Sequence, residues 1–218
     1  MIEAALERTC MRDRIRDALV ARILDGTYPA GTQLKELALA REFGVSQAPI
    51  REALRELEGS GLVTSERFRG TRVRGADYEE MRESYELRCL MEERAIELAA
   101  PFSKELVDEL ARRARGMAAA VAQRDPERYI DDALGFHRRL IQASGNRTFL
   151  RVWDSLHWDV RGRIALRRIA QRSRGDALKP LIELHRALCA RLRAGDARGG
   201  ADKVRAIFAR ITAALEEV

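Results

Sequence analysis

Apolar positions follow two rhythms along this chain. In "RDRIRDALVARILDG" (residues 12–26), Ile15, Leu19 and Ile23 recur on one helical face, with Val20 and Leu24 beside them and Gly26 as the stop. "TYPAGTQL" reads as a turn, and "QLKELALAREFG" as a second, shorter helix ended by Gly44. A third helix lies in "GVSQAPIREALRELEGSGLV". There Ile50, Leu54 and Leu57 share a face with Ala53 beside them, and a Gly-Ser-Gly break closes the segment. "LVTSE" and "TRVRG" then read as two strands joined by "RFRG". From residue 77 the pattern is helical almost throughout, with six helices expected at roughly 77–100, 103–123, 126–143, 148–173, 177–194 and 197–217. Pro180 can stand in the first turn of the fifth. Gly75 can end a strand and Asp77 can cap the next helix, which places the boundary between residues 1–75 and 77–218.

Three helices followed by a hairpin make a winged helix-turn-helix. Short connections between the later helices predict an antiparallel all-helical bundle, so the fold class is mainly α. Composition agrees: of 218 residues, 46% are hydrophobic, 34% charged and 6% aromatic. The net charge of +6 favours anionic partners, nucleic acid or a small acid. Cys10, Cys89 and Cys189 are scattered and odd in number, with no CxxC pair, as expected of reduced thiols in the cytoplasm. No run of about 18 apolar residues predicts a membrane span, and the first residues lack a signal-peptide core.

The third helix has a slim entrance and a polar flank. Ser46 suits an N-cap, Ala48 and Pro49 add little bulk, and Gln47, Arg51, Arg55 and Glu58 run along one side. Gln can bond an adenine edge and Arg a guanine edge, each discriminating by about 1–3 kcal/mol. The hairpin adds Arg67, Arg69, Arg72 and Arg74 against one acid, with Gly70 for the turn and Thr71 beside it. Such a wing can lie on phosphates or enter the minor groove. Residues 1–75 carry 13 Lys and Arg against 11 Asp and Glu, a net of only +2, so the positive charge is focused on the wing. The expected DNA-contacting set is Ser46, Gln47, Ala48, Pro49, Arg51, Arg55, Arg67, Arg69, Gly70, Thr71 and Arg72.

"ILDGTYPAGTQLKELALAREFGVSQAPIREALRELEGSGLV" with the later "RGTRV" resembles the DNA-binding domain of GntR-family transcriptional regulators over about 65 residues. Gln47 stands where that family usually has Arg, and Ala48 where Thr is frequent; Arg51 is retained. The resemblance implies operator binding, with adenine the expected preference opposite Gln47.

"ELRCLMEERAIELAA", "DDALGFHRRLIQASGN" and "ELHRALCARLRAGD" resemble the FadR C-terminal (FCD) effector domain. Many such domains hold a divalent metal of the zinc or nickel type through one Asp and three His, near a pocket for a small organic acid; others hold none. His137 and His185 match two of these ligands. The Asp position is Ala133, and the nearest acid, Asp132, lies about 140° round an ideal helix unless a bulge near Gly135 realigns it. The last His position falls near Ile207 or Phe208. His137 shares the apolar line of Ile130, Leu134 and Ile141, so a core histidine and a ligand both fit; His157 reads as a packing residue. Arg88 matches a frequent family arginine, yet Glu92 four residues on makes a structural ion pair an equal reading. Residues 138–174 hold ten arginines, of which one or two, Arg138 among them, could turn inward to bind a carboxylate. Arg88, His137, Arg138 and His185 are the expected effector residues.

The expected function is a homodimeric transcriptional regulator, most simply a repressor. It would bind a near-palindromic duplex operator, modulated by a small organic acid or acyl-CoA. The alternatives are an architectural DNA binder without an effector and a helical-bundle metalloprotein or enzyme. The last is disfavoured by three scattered histidines and no nucleophile–base motif.

Overall fold

The structure, a computed structural model, describes residues 2–66, 69–74, 78–173 and 176–216. The chain divides into two compact units, Met1–Asp77 and Tyr78–Val218.

In the first unit, α1 (Ile2–Leu24) starts about ten residues earlier than its apolar stripe predicts, because the Ala, Leu, Glu and Arg that precede the stripe are good helix formers and nothing stops them. Helix α2 (Glu36–Phe43) ends at Gly44, which takes φ +66° and donates its N–H to Ala40 and Arg41 carbonyls. Helix α3 (Gln47–Gly59) buries Ile50, Ala53, Leu54 and Leu57. These meet Ile15, Leu19 and Val20 of α1 and Leu39 and Ala40 of α2 in one core. Strands β2 (Val63–Glu66) and β3 (Gly70–Val73) pair antiparallel, Val63 opposite Val73 and Glu66 opposite Gly70. The stretch read as a turn also contributes a strand, β1 (Gln33–Leu34), paired antiparallel with β3 in the order β1-β3-β2. Two residues are too few for an alternating pattern to show; the pairing is held by β3 and by Gly31 N–H to Val73 O (2.8 Å) and Val73 N–H to Thr32 O (2.9 Å). Gly75, Asp77 and Arg67 lie outside the described residues.

The second unit comprises α4 (Tyr78–Ala99), α5 (Lys104–Gln123), α6 (Pro126–Ala143), α7 (Arg147–Ser155), α8 (Trp158–Ser173), a short 3₁₀ turn (Asp176–Leu178), α9 (Lys179–Arg193) and α10 (Ala197–Glu216). Ser103, Asp125 and Asn146 cap α5, α6 and α7 through side-chain oxygens, and Pro180 stands in the first turn of α9. Helix α6 packs on α4, α5 and α8, and α10 on α4 and α9, so α6 and α10 carry much of the core.

The helix expected over 148–173 is two helices. Its break falls at His157, which adopts φ +50°. Trp153 and Trp158 are five residues apart, about 140° round a continuous helix, and could not both face one core. The break brings both rings inward, 6.1 Å apart, and both are buried.

Candidate functional site

Two sets of polar side chains stand out, one in each unit. In the first, Ser46 occupies the N-cap position of α3 in extended conformation, yet its side chain makes no cap hydrogen bond. Ser46, Gln47, Ala48, Arg51 and Arg55 are exposed. Pro49, expected on the reading face, is buried: it lies four residues before Ala53 and so shares the inward side. Arg51 is 52% exposed and held across the turn by Glu36 of α2, with Nε 3.1 Å from both carboxylate oxygens and Nη2 2.8 Å from one. This pair raises the Arg51 pKa. Glu58, on the same side as Gln47 in the sequence reading, accepts a hydrogen bond from Ser65 N–H (3.0 Å) and ties α3 to β2.

On the wing, Gly70 takes φ +80°. Arg69 pairs with Glu66 at 3.2 Å, Arg72 donates to the Gly31 carbonyl at 3.1 Å, and the Thr71 and Ser65 hydroxyls meet at 3.0 Å. Arg69, Gly70 and Arg72 are exposed and Thr71 partly so. The wing thus keeps its cations at the surface on a short sheet anchored to α3.

The second set is enclosed by α4, α6, α8, α9 and α10. Tyr85, Arg88 and Glu92 form one stripe of α4; Tyr129, Ala133 and His137 form one of α6; Leu181 and His185 belong to α9. Arg88 (2% exposed) donates Nε–H to Glu92 at 2.8 Å. The other Glu92 oxygen is bonded to His137 Nδ1. His137 and His185 approach through their Nε2 atoms at 3.1 Å, and His185 Nδ1 donates to the Leu181 carbonyl at 2.6 Å. The Arg88 guanidinium carbon lies 4.6 Å from the Trp153 ring, 4.7 Å from Trp158, 5.0 Å from Phe208 and 5.6 Å from Tyr85. A narrow space lies among these groups, closed on its other side by Leu134, Leu166, Leu181 and Ile211. Its free space is small, room for about one water. The Tyr85 and Tyr129 hydroxyls, both buried, have no hydrogen-bond partner among the described residues.

Burial sets the electrostatics here. It pushes the Tyr85 phenol up to about 12 and raises Tyr129. It also drives His185 down to about 3, helped by His137 nearby. Burial alone would raise Glu92, but His137 and Arg88 outweigh it and hold the carboxyl below its usual range. Burial lowers His137 against the opposing pull of Glu92.

The structure brings Arg88, His137 and His185 side by side, forms the Arg88–Glu92 ion pair that was the other reading of Arg88, and adds Tyr85 and Tyr129. It does not bring Arg138, which is 46% exposed and pairs with Asp154 at 2.7 Å. Of the ten arginines it is, among the described residues, Arg161 that turns inward, buried and paired with Glu80 at 2.8 Å, while Arg139 pairs with Glu109 (2.7 Å), Arg163 with Asp131 (2.6 Å) and Arg167 with Glu127 (2.6 Å). Asp132 is displaced as well. Helix α6 runs unbroken through Gly135, so no bulge turns Asp132 inward, and it faces Arg113 (3.8 Å) and Gly116 of α5.

Metal fit can be tested on this donor set. Among the described residues no three His, Cys, Asp or Glu side chains cluster as ligands. Ala133 occupies the place of the family's Asp, and Phe208 lies 5.2 Å from the His137 ring where a third imidazole is expected. The Arg88 guanidinium already supplies a cation in the same pocket. Two imidazoles beside a buried guanidinium do not fit a resident divalent ion.

Residues 11–73 match the sequence pattern described as bacterial regulatory proteins, gntR family, and residues 83–210 match the FCD domain. The chain is 31% identical over 191 residues to the "Probable D-xylose utilization operon transcriptional repressor" of Paenarthrobacter nicotinovorans, covering 88% of this chain and 82% of that one. It is 32% identical over 155 residues to the gluconate operon transcriptional repressor of Bacillus licheniformis, covering 71% of this chain and 63% of that one, just under two thirds. Among solved structures, Escherichia coli McbR/YncC aligns with a TM-score of 0.77 at 22% identity over 95% of this chain and 97% of its own. The Listeria monocytogenes protein Lar aligns at 0.68 and 21% identity over 95% and 97%. Among the described residues no helix is long and apolar enough to cross a membrane.

Proposed function

The chain belongs to the bacterial gntR family of regulatory proteins, in the branch that carries an FCD domain. From that membership we propose a dimeric repressor that reads its operator with α3 and answers to a small organic acid in the helical unit. One observation carries the DNA-reading half. Gln47, Arg51 and Arg55 stand in solvent along α3, while Ile50, Ala53, Leu54 and Leu57 fix the helix from the opposite side. An α-helix so presented fits the major groove, with the N–H groups of its first turn available to a phosphate. Ser46, Gln47, Ala48, Arg51 and Arg55 are the residues proposed to meet DNA, with Arg69, Gly70, Thr71 and Arg72 on the backbone or in the minor groove. Pro49 serves by fixing the helix start.

Dimerisation is supported by an apolar stripe on α4, where Leu87, Leu90 (66% exposed) and Leu98 stand out from the surface at helical spacing. A two-fold dimer places two α3 helices one DNA turn apart and makes the operator near-palindromic. Relatives named as repressors of xylose and gluconate operons support a carbohydrate-use operon as the target. An acid that favours one arrangement of the DNA-reading heads lowers operator affinity, and DNA lowers acid affinity by the same factor.

The test is a titration of duplexes selected from a random pool, at rising salt. The expected result is a preferred two-fold sequence bound by one dimer, with affinity falling linearly in log salt. Binding that ignores sequence favours an architectural role.

A further inference from the structure

We infer that the open groove between α5 and α6 is a further binding site, for a small phosphorylated polyol: Arg112, Arg115 and Arg128 hold the phosphate and Asp132 takes a hydroxyl. The groove shares no lining residue with the Arg88 cluster, and the inference stands apart from the function proposed above.

Helical spacing makes the groove. Arg112, Arg115, Gly116 and Ala119 form one stripe of α5, and Arg128, Asp131 and Asp132 form one of α6. The α5 side of the floor is nearly bare of side chain. A Cβ at Gly116 would collide with Asp132 Oδ2, so glycine lets the two helices close with that carboxylate between them. All three arginines are exposed, and a ligand reaches them without any rearrangement of the bundle.

The acids nearby are already taken. Of the two that line the groove, Asp131 is met by Arg163 (2.6 Å) and Asp132 by Arg113 (3.8 Å), neither of which lines it. Glu127, next to Arg128 in the chain, goes to Arg167 (2.6 Å), and Glu109, one turn before Arg112, goes to Arg139 (2.7 Å). The groove arginines are left over. Arg128 donates Nη1–H to Gln123 (3.0 Å), a neutral partner, and Arg112 and Arg115 make no hydrogen bond or ion pair with a described residue. Cations gathered along one groove repel one another until an anion joins them.

The donor set selects the anion. A carboxylate offers two oxygens and suits one guanidinium fork, whereas a phosphate monoester brings three acceptor oxygens and about −1.5 to −2 charges. Asp132 selects the rest of the ligand. Its 3.8 Å approach to Arg113 is too long for a hydrogen bond, so its oxygens still lack a donor. Burial raises its pKa against the pull of Arg113, Arg128 and Arg112, as expected of a carboxylate that is partly dry and poorly bonded. A hydroxyl beside the phosphate supplies the donor without adding charge, while a second anion there would be repelled.

The experiment titrates the intact protein calorimetrically with glucose 6-phosphate, glycerol 3-phosphate, inorganic phosphate, sulfate and glucose. At least one of the two esters is expected to bind, one molecule per chain, with inorganic phosphate and sulfate about tenfold weaker and glucose silent. The double variant Arg115→Gln, Arg128→Gln should weaken the ester at least tenfold, about the loss of one charged hydrogen bond, at an unchanged melting midpoint, because both side chains are exposed and tied to no acid. Asp132→Asn should leave inorganic phosphate bound and erase most of the preference for the ester; the arginine variant decides the matter if Asp132→Asn does not fold. Silence of both esters, sulfate bound as tightly as they are, or ester binding that survives the arginine variant overturns the assignment. A short duplex titrated into the same two proteins separates another source of phosphate: if the arginine variant loses duplex affinity while the esters are silent, the groove belongs to the DNA backbone and the inference fails.

Discussion

At the start of α3 the polar side chains stand in water, and Arg51 leans on nothing deeper than Glu36. In the helical unit Arg88, Glu92, His137 and His185 are buried and bonded one to the next. The first arrangement leaves its groups free for a partner that arrives with charge and base edges. The second spends its hydrogen-bonding capacity mostly on itself and leaves two buried phenols, Tyr85 and Tyr129, without a partner among the described residues. Exposed groups adjust their strength through salt and competition, since a surface ion pair contributes at most about 1 kcal/mol. Buried groups cannot, because each unmet partner carries its desolvation cost.

The contrast predicts where a substitution will be felt. Glu92→Gln should have the largest effect. It strips the carboxylate from a buried guanidinium and should lower unfolding stability by about 3–5 kcal/mol in chemical denaturation, while the folded fraction keeps its operator affinity. An unchanged midpoint would mean that Arg88 finds water or another acid. Gln47→Arg should do the reverse: denaturation unaltered, and preference at one base pair of each half-site moved from adenine to guanine by about 1–3 kcal/mol in competition binding. A uniform change across all sequences would place Gln47 on phosphate.

Tyr129→Phe sharpens the comparison inside the pocket. Removing a buried hydroxyl with no partner among the described residues should leave the melting midpoint unchanged or raise it, by about 1 kcal/mol at most. A clear drop in midpoint would show that the hydroxyl is satisfied. Glu36→Gln should have the smallest effect, releasing Arg51 and tightening non-specific DNA binding a few-fold at low salt, with stability held within about 0.5 kcal/mol.

How much of this was legible in the sequence follows the same division. The α3 core face, the Gly44 stop and the wing hairpin are set within a few residues of chain, where side-chain period and turn chemistry are visible. Stripes on single helices could also be read, which is why the inward facing of His137 could be expected and why Tyr85 and Tyr129, at helical spacing from Arg88 and His137, could have been added. The rest depends on distance. Glu36 reaches Arg51 across 15 residues, Glu92 reaches His137 across 45, and His137 reaches His185 across 48. No periodicity encodes such pairs. The break at His157 was hidden for a related reason: nothing local forbids a continuous helix there, and only the shared burial of Trp153 and Trp158 divides it. Asp132 stays where an ideal helix puts it, away from His137, while Arg138 faces solvent and Asp154, for composition tells how many charges a segment holds and not which way each one faces.

Arg51 is the side chain through which α3 is proposed to read base pairs. The most direct measurement is a selection from random duplexes run side by side with the wild-type protein and Arg51→Ala. The account predicts a two-fold motif for the wild type and loss of the preferred base at one symmetric pair of positions for the variant, with both proteins melting alike. The same motif at the same strength from both would contradict it.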